Sequence, residues 1–301
     1  MKKNIELLYE EFLNNISVKN NSKKTYMGSL KQFFEYIKKK NIKKPETITV
    51  IDYIEFLKNK ELSDYTITNY IVVLKKFFSW CYHQGYCEDI TSKIKIKQQA
   101  KGFRKKTLTI KEIQELNSVL CKDNIIGMRD YTIINLMIRT GLRTIEIKRL
   151  NFGDIKKTGD YHIHYIHGKG RTGKDEFVFL TKKTYSIILE YKNKLKSLHI
   201  PINDNNPIFF SLSRKNYLKP LTTRSLSRIV KNSLSLIGLT SKDYSAHSLR
   251  HTAITLCLLG GATIPEAQIP ARHNNINTTL IYAHNINRMK CAPEKYIDRI
   301  I

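Results

Sequence analysis

The sequence lacks the features that mark exported, membrane-spanning and zinc-binding proteins. Its five cysteines are odd in number and widely scattered, and no two of them form a Cys-x-x-Cys pair. This spacing argues against a disulfide framework and against a zinc module, and it favours a reducing, cytoplasmic setting. There is no run of about twenty apolar residues that could span a membrane, and the N-terminus lacks the hydrophobic stretch of a secretory signal.

Acidic residues are scarce relative to basic ones. The 301 residues include 52 Lys and Arg against 26 Asp and Glu, which gives a formal net charge of +26. Such an excess repels itself in the folded state and is typical of proteins whose working partner is a polyanion, most often nucleic acid. A hydrophobic content of 41% with 17 Tyr and 12 Phe is ample for folded cores, and the length indicates about two domains.

The first 87 residues carry apolar side chains at three- and four-residue spacing, which predicts a bundle of four short helices. The predicted helices are Ile5–Ile16, Ser22–Lys40, Thr49–Lys60 and Asp64–Gln84. Ser22 and Ser63 are the expected N-caps, and Pro45 and Gly85 the expected breaks between elements. Residues 88–106 then lose apolar periodicity and gain positive charge, so we interpret them as a basic interdomain linker.

Both halves that this linker joins are basic. Residues 1–106 contain 22 Lys and Arg against 11 acids, and the remainder contains 30 against 15. A run of positive charge such as the one in the linker is ordinarily a solvated tether. Between two basic domains it favours a clamp around duplex DNA, in which Lys and Arg neutralise phosphates on opposite faces.

Residues 107–301 predict a second, mostly helical domain with one small sheet. Helical spacing recurs at Ile110–Leu120, Met128–Ile138, 183–198, 222–237 and 247–259. Between these helices, alternation over Tyr161–His167 and again over Glu176–Leu180 predicts a β-hairpin with a basic tip. The fold class is therefore mainly α with a small antiparallel sheet.

Four polar segments of the second half are candidates for chemistry, although each has an ordinary structural explanation by itself. Arg143 and Glu146 would share one face of a helix, as surface ion pairs often do. Lys169 lies in the hairpin turn, where Lys and Gly are common. His247 and Arg250 lie one helical turn apart at the start of an apolar helix, where desolvation without an anionic partner is costly.

The fourth segment places His273 nine residues before Tyr282, across a polar stretch rich in Asn and Thr. Because the chain has 17 tyrosines, Tyr282 is a candidate only because the other three polar segments accompany it in the sequence. In order, the motifs are Gly141-Leu142-Arg143 with Glu146, Gly168-Lys169-Gly170, His247-Ser248-Leu249-Arg250-His251, and His273 through Thr278-Thr279-Leu280-Ile281-Tyr282-Ala283-His284. This ordered set resembles the tyrosine recombinase (phage integrase) family over most of the chain.

The resemblance implies a core-binding domain over residues 1–87 and a catalytic domain over residues 107–301. It implies that Tyr282 attacks the scissile phosphate, forming a 3′-phosphotyrosyl link and freeing a 5′-hydroxyl. It further implies that Arg143 and Arg250 hold the nonbridging oxygens, Lys169 protonates the leaving 5′ oxygen, His247 assists proton transfer, and His273 hydrogen-bonds a nonbridging oxygen. We assign Glu146 as the residue that orients Arg143, because a carboxylate beside the phosphate would be repelled. No ATP is required, because the covalent link conserves the energy of the phosphodiester bond. No metal is implied either, because the nucleophile, the positive donors and the acid are all side chains.

The sequence departs from the family pattern at two places. The family usually has Leu-Gly-His where this chain has Ala271-Arg272-His273, and we favour an exposed, tolerated side chain for Arg272 over an extra phosphate contact. Pro265 and Pro270 are expected to interrupt the helix that precedes this motif. Lys174 competes with Lys169 as the general acid, since both lie in the same hairpin.

The expected partner is double-stranded DNA, bound by a dimer to tetramer of the chain. The chain resembles the compact class of this family, so we expect no arm-binding domain. Residues 293–301 are expected to form an apolar tail that either docks on a neighbouring protomer or folds back on its own domain. Several biological roles share this chemistry. They are integration, excision or transposition of a mobile element, Xer-type dimer resolution and type IB topoisomerase-like strand transfer. An inactive DNA-binding regulator is the non-enzymatic alternative, whereas a metal-dependent nuclease lacks a suitable carboxylate cluster.

Overall fold

The computed structural model divides into two separately packed units, residues 1–101 and 102–301. It describes residues 5–18, 20–96, 105–167 and 173–272, together with Ile276, Thr279, Leu280 and Tyr282. No helix within these ranges combines the length and apolar character needed to cross a membrane.

The N-terminal unit contains the four predicted helices. They are α1 (Ile5–Asn15), α2 (Asn20–Lys39), α3 (Thr47–Asn59) and α4 (Asp64–His83). Aromatic rings dominate the core between them: Phe12 packs edge-on against Phe77, with ring centroids 5.5 Å apart, and Phe33 packs edge-on against Phe78 at 6.0 Å. Such pairs stabilise a core beyond their buried area, which suits a small bundle.

The helix ends of this unit correct one expected cap and confirm another. Ser63 caps α4 by accepting a hydrogen bond from the Thr66 amide at 3.3 Å, as the sequence predicts. The prediction for Ser22 is wrong, because α2 already begins at Asn20 and Ser22 lies in its first turn. Gly85, with φ +70°, adopts the left-handed conformation that ends α4.

Residues at both ends of the predicted linker, residues 88–106, contact the unit beside them. Ile94 is buried in the N-terminal core, and Lys75 of α4 donates hydrogen bonds to the carbonyls of Thr91 and Ile94 at 3.0 and 2.8 Å. At the other end, the Lys106 amide bonds to the carbonyl of Asp243 within the C-terminal unit. Apolar residues spaced along a basic segment thus anchor its start to the bundle, although they show no helical period.

The C-terminal unit is mostly helical, with one sheet. Its helices are α5 (Ile110–Val119), α6 (Ile125–Thr140), α7 (Thr144–Lys148), α8 (Lys182–Ser197), α9 (Thr223–Ser235), α10 (Ala246–Leu259) and α11 (Ile264–Ala271). Helix α6 is buried on most of its surface and contacts α8, α9 and α10, so it forms the centre of the core. The mostly helical fold with a small antiparallel sheet is as the sequence predicts.

The sheet has one strand more than the predicted hairpin. Strands β2 (Tyr161–Ile166) and β3 (Glu176–Leu180) pair antiparallel, with Ile163 opposite Phe179. On the other side of β2, β1 (Ile155–Thr158) pairs antiparallel and is mostly exposed. The four residues of this edge strand, Ile-Lys-Lys-Thr, are too few and too polar for alternation to predict it.

The expected interruption by proline before residue 273 is wrong. Helix α11 runs from Ile264 to Ala271, with Pro265 in its first turn and Pro270 one residue before its end. Proline is compatible with the first turn because the amide it removes has no partner within the helix there. Thr263 caps the helix by accepting a hydrogen bond from the Glu266 amide.

Candidate active site

Arg143 is positioned by the turn between α6 and α7. Gly141 ends α6 with φ +63°, a left-handed conformation that glycine adopts without steric cost, and Arg143 is the N-cap residue of α7. The Arg143 Nη1 lies 2.8 Å from Glu146 Oε1, and its amide donates to Glu146 Oε2 at 2.7 Å. The contact expected from their spacing is therefore present, and it is built on a carboxylate that is fully buried.

Glu146 remains ionised despite this burial. Burial by itself raises the pKa of a carboxyl group, but the positive charges of Arg272 and Arg143 and the hydrogen bonds from Arg143 outweigh it, so the pKa of Glu146 lies below its usual range. Near neutral pH the site thus contains a buried anion that holds arginine side chains.

His247 and Arg250 lie one turn apart on α10 and face the same small cavity as Arg143. The cavity has a volume of about 80 Å³. Its other lining residues are Thr144, Ser227, Ser245 and Ala246. The Ser245 hydroxyl is buried with no hydrogen-bond partner among the described residues, so the cavity combines two guanidinium groups, an imidazole and hydroxyl donors. A pocket with these donors is suited to a tetrahedral oxyanion.

Arg250 is almost completely buried and is held by two main-chain carbonyls. Its Nη1 donates to the carbonyl of Gly141 at 2.5 Å, and its Nη2 donates to that of Ala271. Burial, with the nearby charges of Arg143 and Arg272, lowers the pKa of Arg250 to about 9, so the side chain is still charged at neutral pH. Positive charges crowded in a low-dielectric site favour binding of an anion.

Tyr282 lies beside the same helix. Its side chain is 2% exposed and packs against Ile254 and Ala271, and its hydroxyl is in hydrogen-bond contact with His251 Nδ1. Burial raises the pKa of Tyr282, whereas the charge of Arg250 opposes this rise, so the hydroxyl is protonated at neutral pH. Burial, with the charges of His247 and Arg250, lowers the pKa of His251 to about 4. His251 is therefore neutral, and a neutral imidazole has one ring nitrogen able to accept a proton.

Arg272 contradicts the expectation of an exposed side chain. Its side chain is 9% exposed, and its Nη2 lies 2.7 Å from Glu146 Oε2. The backbone of Arg272 turns back after α11, which carries the side chain into the site rather than into solvent. The local sequence, an arginine directly after Ala271, did not predict that the Arg272 side chain is buried.

The structure describes Lys174 and His251 but not Lys169 or His273. Lys174 forms an ion pair with Asp154, with 2.5 Å between Nζ and Oδ1. Lys169 and His273 lie outside the described residues.

Sequence reasoning did not predict a role for His251, which appeared only as part of a motif. Its contact with Tyr282, 31 positions further along the chain, is not reflected in any local spacing pattern. Among the described residues, no group of three or more His, Cys, Asp or Glu could hold a metal ion.

This fold and site define a two-unit helical protein with an arginine-rich anion pocket beside a buried tyrosine. Residues 106–288 match the phage integrase family, and residues 5–85 match the N-terminal SAM-like domain of phage integrases. The chain therefore belongs to the phage integrase family, whose enzymes are tyrosine recombinases.

Individual relatives cover almost the whole chain. Tyrosine recombinase XerD of Listeria monocytogenes is 26% identical over 92% of this chain and 93% of its own length. Tyrosine recombinase XerC of Thermodesulfovibrio yellowstonii is 28% identical over 93% of this chain and 92% of its own length.

Solved structures share the fold. The XerH recombinase bound to its palindromic difH substrate aligns with a TM-score of 0.75 and 22% identity, covering 91% of this chain and 80% of its own. The Tn1549 transposon integrase in complex with transposon right-end DNA aligns with a TM-score of 0.67 and 17% identity, covering 95% of this chain and 98% of its own.

Proposed function

We propose that this chain is a site-specific DNA recombinase that cleaves and rejoins strands through a phosphotyrosyl intermediate. The observation that carries the proposal is the convergence of Arg143, His247 and Arg250 on one cavity, with Tyr282 against the helix that bears two of them. Metal-free cleavage of a phosphodiester needs a nucleophile, positive donors for the transition state and an acid for the leaving oxygen. The first two requirements are met by described residues.

Each residue has a distinct part in the proposed reaction. The Tyr282 oxygen attacks the scissile phosphorus, a 3′-phosphotyrosyl bond forms, and the bond to the 5′ oxygen breaks. Arg143 and Arg250 stabilise the negative charge on the nonbridging oxygens, because a guanidinium offers paired donors at fixed geometry. His247 assists proton transfer and positions the phosphate. His251, in contact with the Tyr282 hydroxyl, is the nearest acceptor for its proton.

Lys169 is the proposed general acid, and His273 the proposed second donor to a nonbridging oxygen. The competing lysine, Lys174, is engaged with Asp154, which favours Lys169 for protonation of the leaving 5′ oxygen. Glu146 is an orienting residue, since its carboxylate is fully buried behind Arg143 and would repel a phosphate in direct contact.

The partner is duplex DNA, on which two to four copies of the chain assemble within the cytoplasm. Relatives named XerC and XerD match nearly their whole length, which supports a Xer-type role in dimer resolution. The likeness to a transposon integrase supports integration, excision or transposition of a mobile element. Both roles require two DNA sites to be brought together, unlike a type IB topoisomerase.

A two-site substrate separates these activities. The DNA carries two copies of the sequence that the protein selects from a random duplex pool, and the reaction contains EDTA and no ATP. We expect strand exchange that depends on both sites and yields recombinant products. Relaxation of supercoils without recombinants would identify a topoisomerase. Selective binding with no strand breakage would contradict both and leave the DNA-binding regulator.

DNA binding should weaken steeply as salt rises. A chain of net charge +26 that contacts about six to ten phosphates is expected to lose about 10³- to 10⁵-fold in affinity between 50 and 200 mM salt. Fluorescence anisotropy with a labelled duplex at four salt concentrations measures the slope. A flat response would mean that the positive charge faces something other than a duplex.

A further inference from the structure

Arg272 occupies a backbone position that favours glycine. It is the C-cap residue of α11, with φ +47° and ψ +48°, in the left-handed region where a side chain crowds the following carbonyl. An arginine is retained here at a conformational cost, so contacts made by its side chain must offset that cost for the turn to be stable.

The side chain of Arg272 is committed to Glu146. Its Nη2 lies 2.7 Å from Glu146 Oε2 and 3.4 Å from the carbonyl oxygen of Gly141. Its Nε is 3.9 Å from Glu176 Oε2, and Nε and Nη1 are buried with no hydrogen-bond partner among the described residues. A buried guanidinium is costly unless it is paired, so Glu146 is the main anchor of Arg272.

Glu146 divides its two oxygens between two arginines. Oε1 accepts from Arg143 and Oε2 accepts from Arg272, so each arginine fixes the carboxylate that the other one needs. Loss of Arg272 would leave the fully buried Glu146 with one charged partner fewer. The pKa of Glu146 would then be higher than in the wild type, because the charge of Arg272, which most strongly opposes the effect of burial, would be gone.

The main chain at residues 271 and 272 holds both arginines that face the cavity. Arg143 Nη2 donates to the carbonyl of Arg272 at 3.2 Å, and Arg250 Nη2 donates to that of Ala271. Arg250 and Arg272 also share the carbonyl of Gly141 as an acceptor. Three guanidinium groups and one carboxylate therefore form a single network around the end of α11.

We propose that Arg272 is a positioning residue for strand cleavage: its ion pair with Glu146 holds Arg143 and Arg250 in the arrangement that receives the scissile phosphate. This role rests on the proposed recombinase function. Arg272 acts through Glu146 and does not itself touch the reacting atoms.

Three variants of the full chain test this role. Arg272→Gly removes the guanidinium and suits the left-handed backbone, so the fold is retained, and Arg272→Lys keeps the charge without the planar fork. Arg214→Gly removes an exposed arginine in the 3₁₀ turn Arg214–Asn216 and is the matched control. Each variant is given a nicked duplex carrying the sequence that the wild type selects from a random pool.

The measured quantities are the dissociation constant for DNA and the single-turnover rate of covalent adduct formation from pH 5 to 8. For Arg272→Gly we expect binding within about twofold of wild type and a rate about 10- to 100-fold lower, since misplaced catalytic groups cost this much. Arg272→Lys should recover part of the rate, and Arg214→Gly should leave it unchanged. The rate of Arg272→Gly should also fall more steeply than wild type as the pH decreases, because Glu146 takes up a proton at higher pH.

Two results would overturn the role of Arg272. One is a rate for Arg272→Gly within twofold of wild type at every pH. The other is a lowered rate with the pH profile of the wild type, because Arg272 would then act by a route other than Glu146. Absence of an adduct from the wild type would instead overturn the proposed function, and this role with it.

Discussion

Substitution of Tyr282 by phenylalanine should abolish covalent attachment to DNA while leaving binding within about twofold of wild type. The substitution removes one oxygen, and loss of a nucleophile costs several orders of magnitude in rate. The ring continues to pack against Ile254 and Ala271, so the C-terminal unit remains folded. A suicide substrate scored for denaturant-resistant adduct measures the rate, and a gel shift on the same duplex measures binding.

Three other tyrosines provide controls for this experiment. Tyr191 is fully buried in the same unit, and its hydroxyl has no partner among the described residues, so Tyr191→Phe makes an equivalent change away from the site. Tyr244 lies three residues before His247 and is the first alternative nucleophile, together with Tyr296. Adduct that survives Tyr282→Phe and disappears in Tyr244→Phe or Tyr296→Phe would show that the nucleophile was wrongly assigned.

Substitution of Glu146 by glutamine should destabilise the chain by about 3–5 kcal/mol. It leaves the buried guanidinium of Arg272 and the partly exposed guanidinium of Arg143 without their anion. In a unit of this size the melting temperature should fall by on the order of 10 °C. Thermal unfolding of the full chain, followed by circular dichroism, measures the change. Glu115→Gln, at an exposed position on α5, is the matched control and should change the melting temperature by less than about 2 °C.

The difference in stability between wild type and Glu146→Gln should depend on pH in a defined direction. Folding lowers the pKa of Glu146, so its ionised form stabilises the fold at neutral pH, and that contribution is lost as the pH falls through the lowered pKa. The stability gap between wild type and Glu146→Gln should therefore narrow below about pH 4, the ordinary carboxylate range. A gap that stays constant from pH 7 to pH 3 would mean that the charge of Glu146 contributes nothing.

Much of the fold could be predicted because its helices carry their period in the sequence. The apolar spacing predicted α4 and α10 to within one or two residues, and alternation predicted β2 and β3. The short edge strand β1 could not be predicted, because its pairing with β2 is decided by tertiary contact rather than by its own pattern. The packing of Ile94 against the N-terminal bundle is likewise a long-range contact within a basic segment.

The site was predictable where its contacts are local. Spacing alone predicted that Arg143 and Glu146, three residues apart, share one helix face. It predicted the same for His247 and Arg250, which lie one turn apart. Arg272 contacts Glu146 across 126 positions, and His251 contacts Tyr282 across 31, so no local pattern contains either pair. Arg272 was misjudged because a basic side chain after a helix is usually solvated, whereas the left-handed turn directs this one inward.

The most direct test of the account is to identify the residue that becomes linked to DNA. Wild-type protein is incubated with a nicked duplex of its selected sequence in EDTA without ATP, the adduct is digested with trypsin and nuclease, and the modified peptide is sequenced by mass spectrometry. The account predicts a single phosphonucleotide on Tyr282, joined through the 3′ end of the cleaved strand. A link to any other side chain, or to the 5′ end, would contradict it.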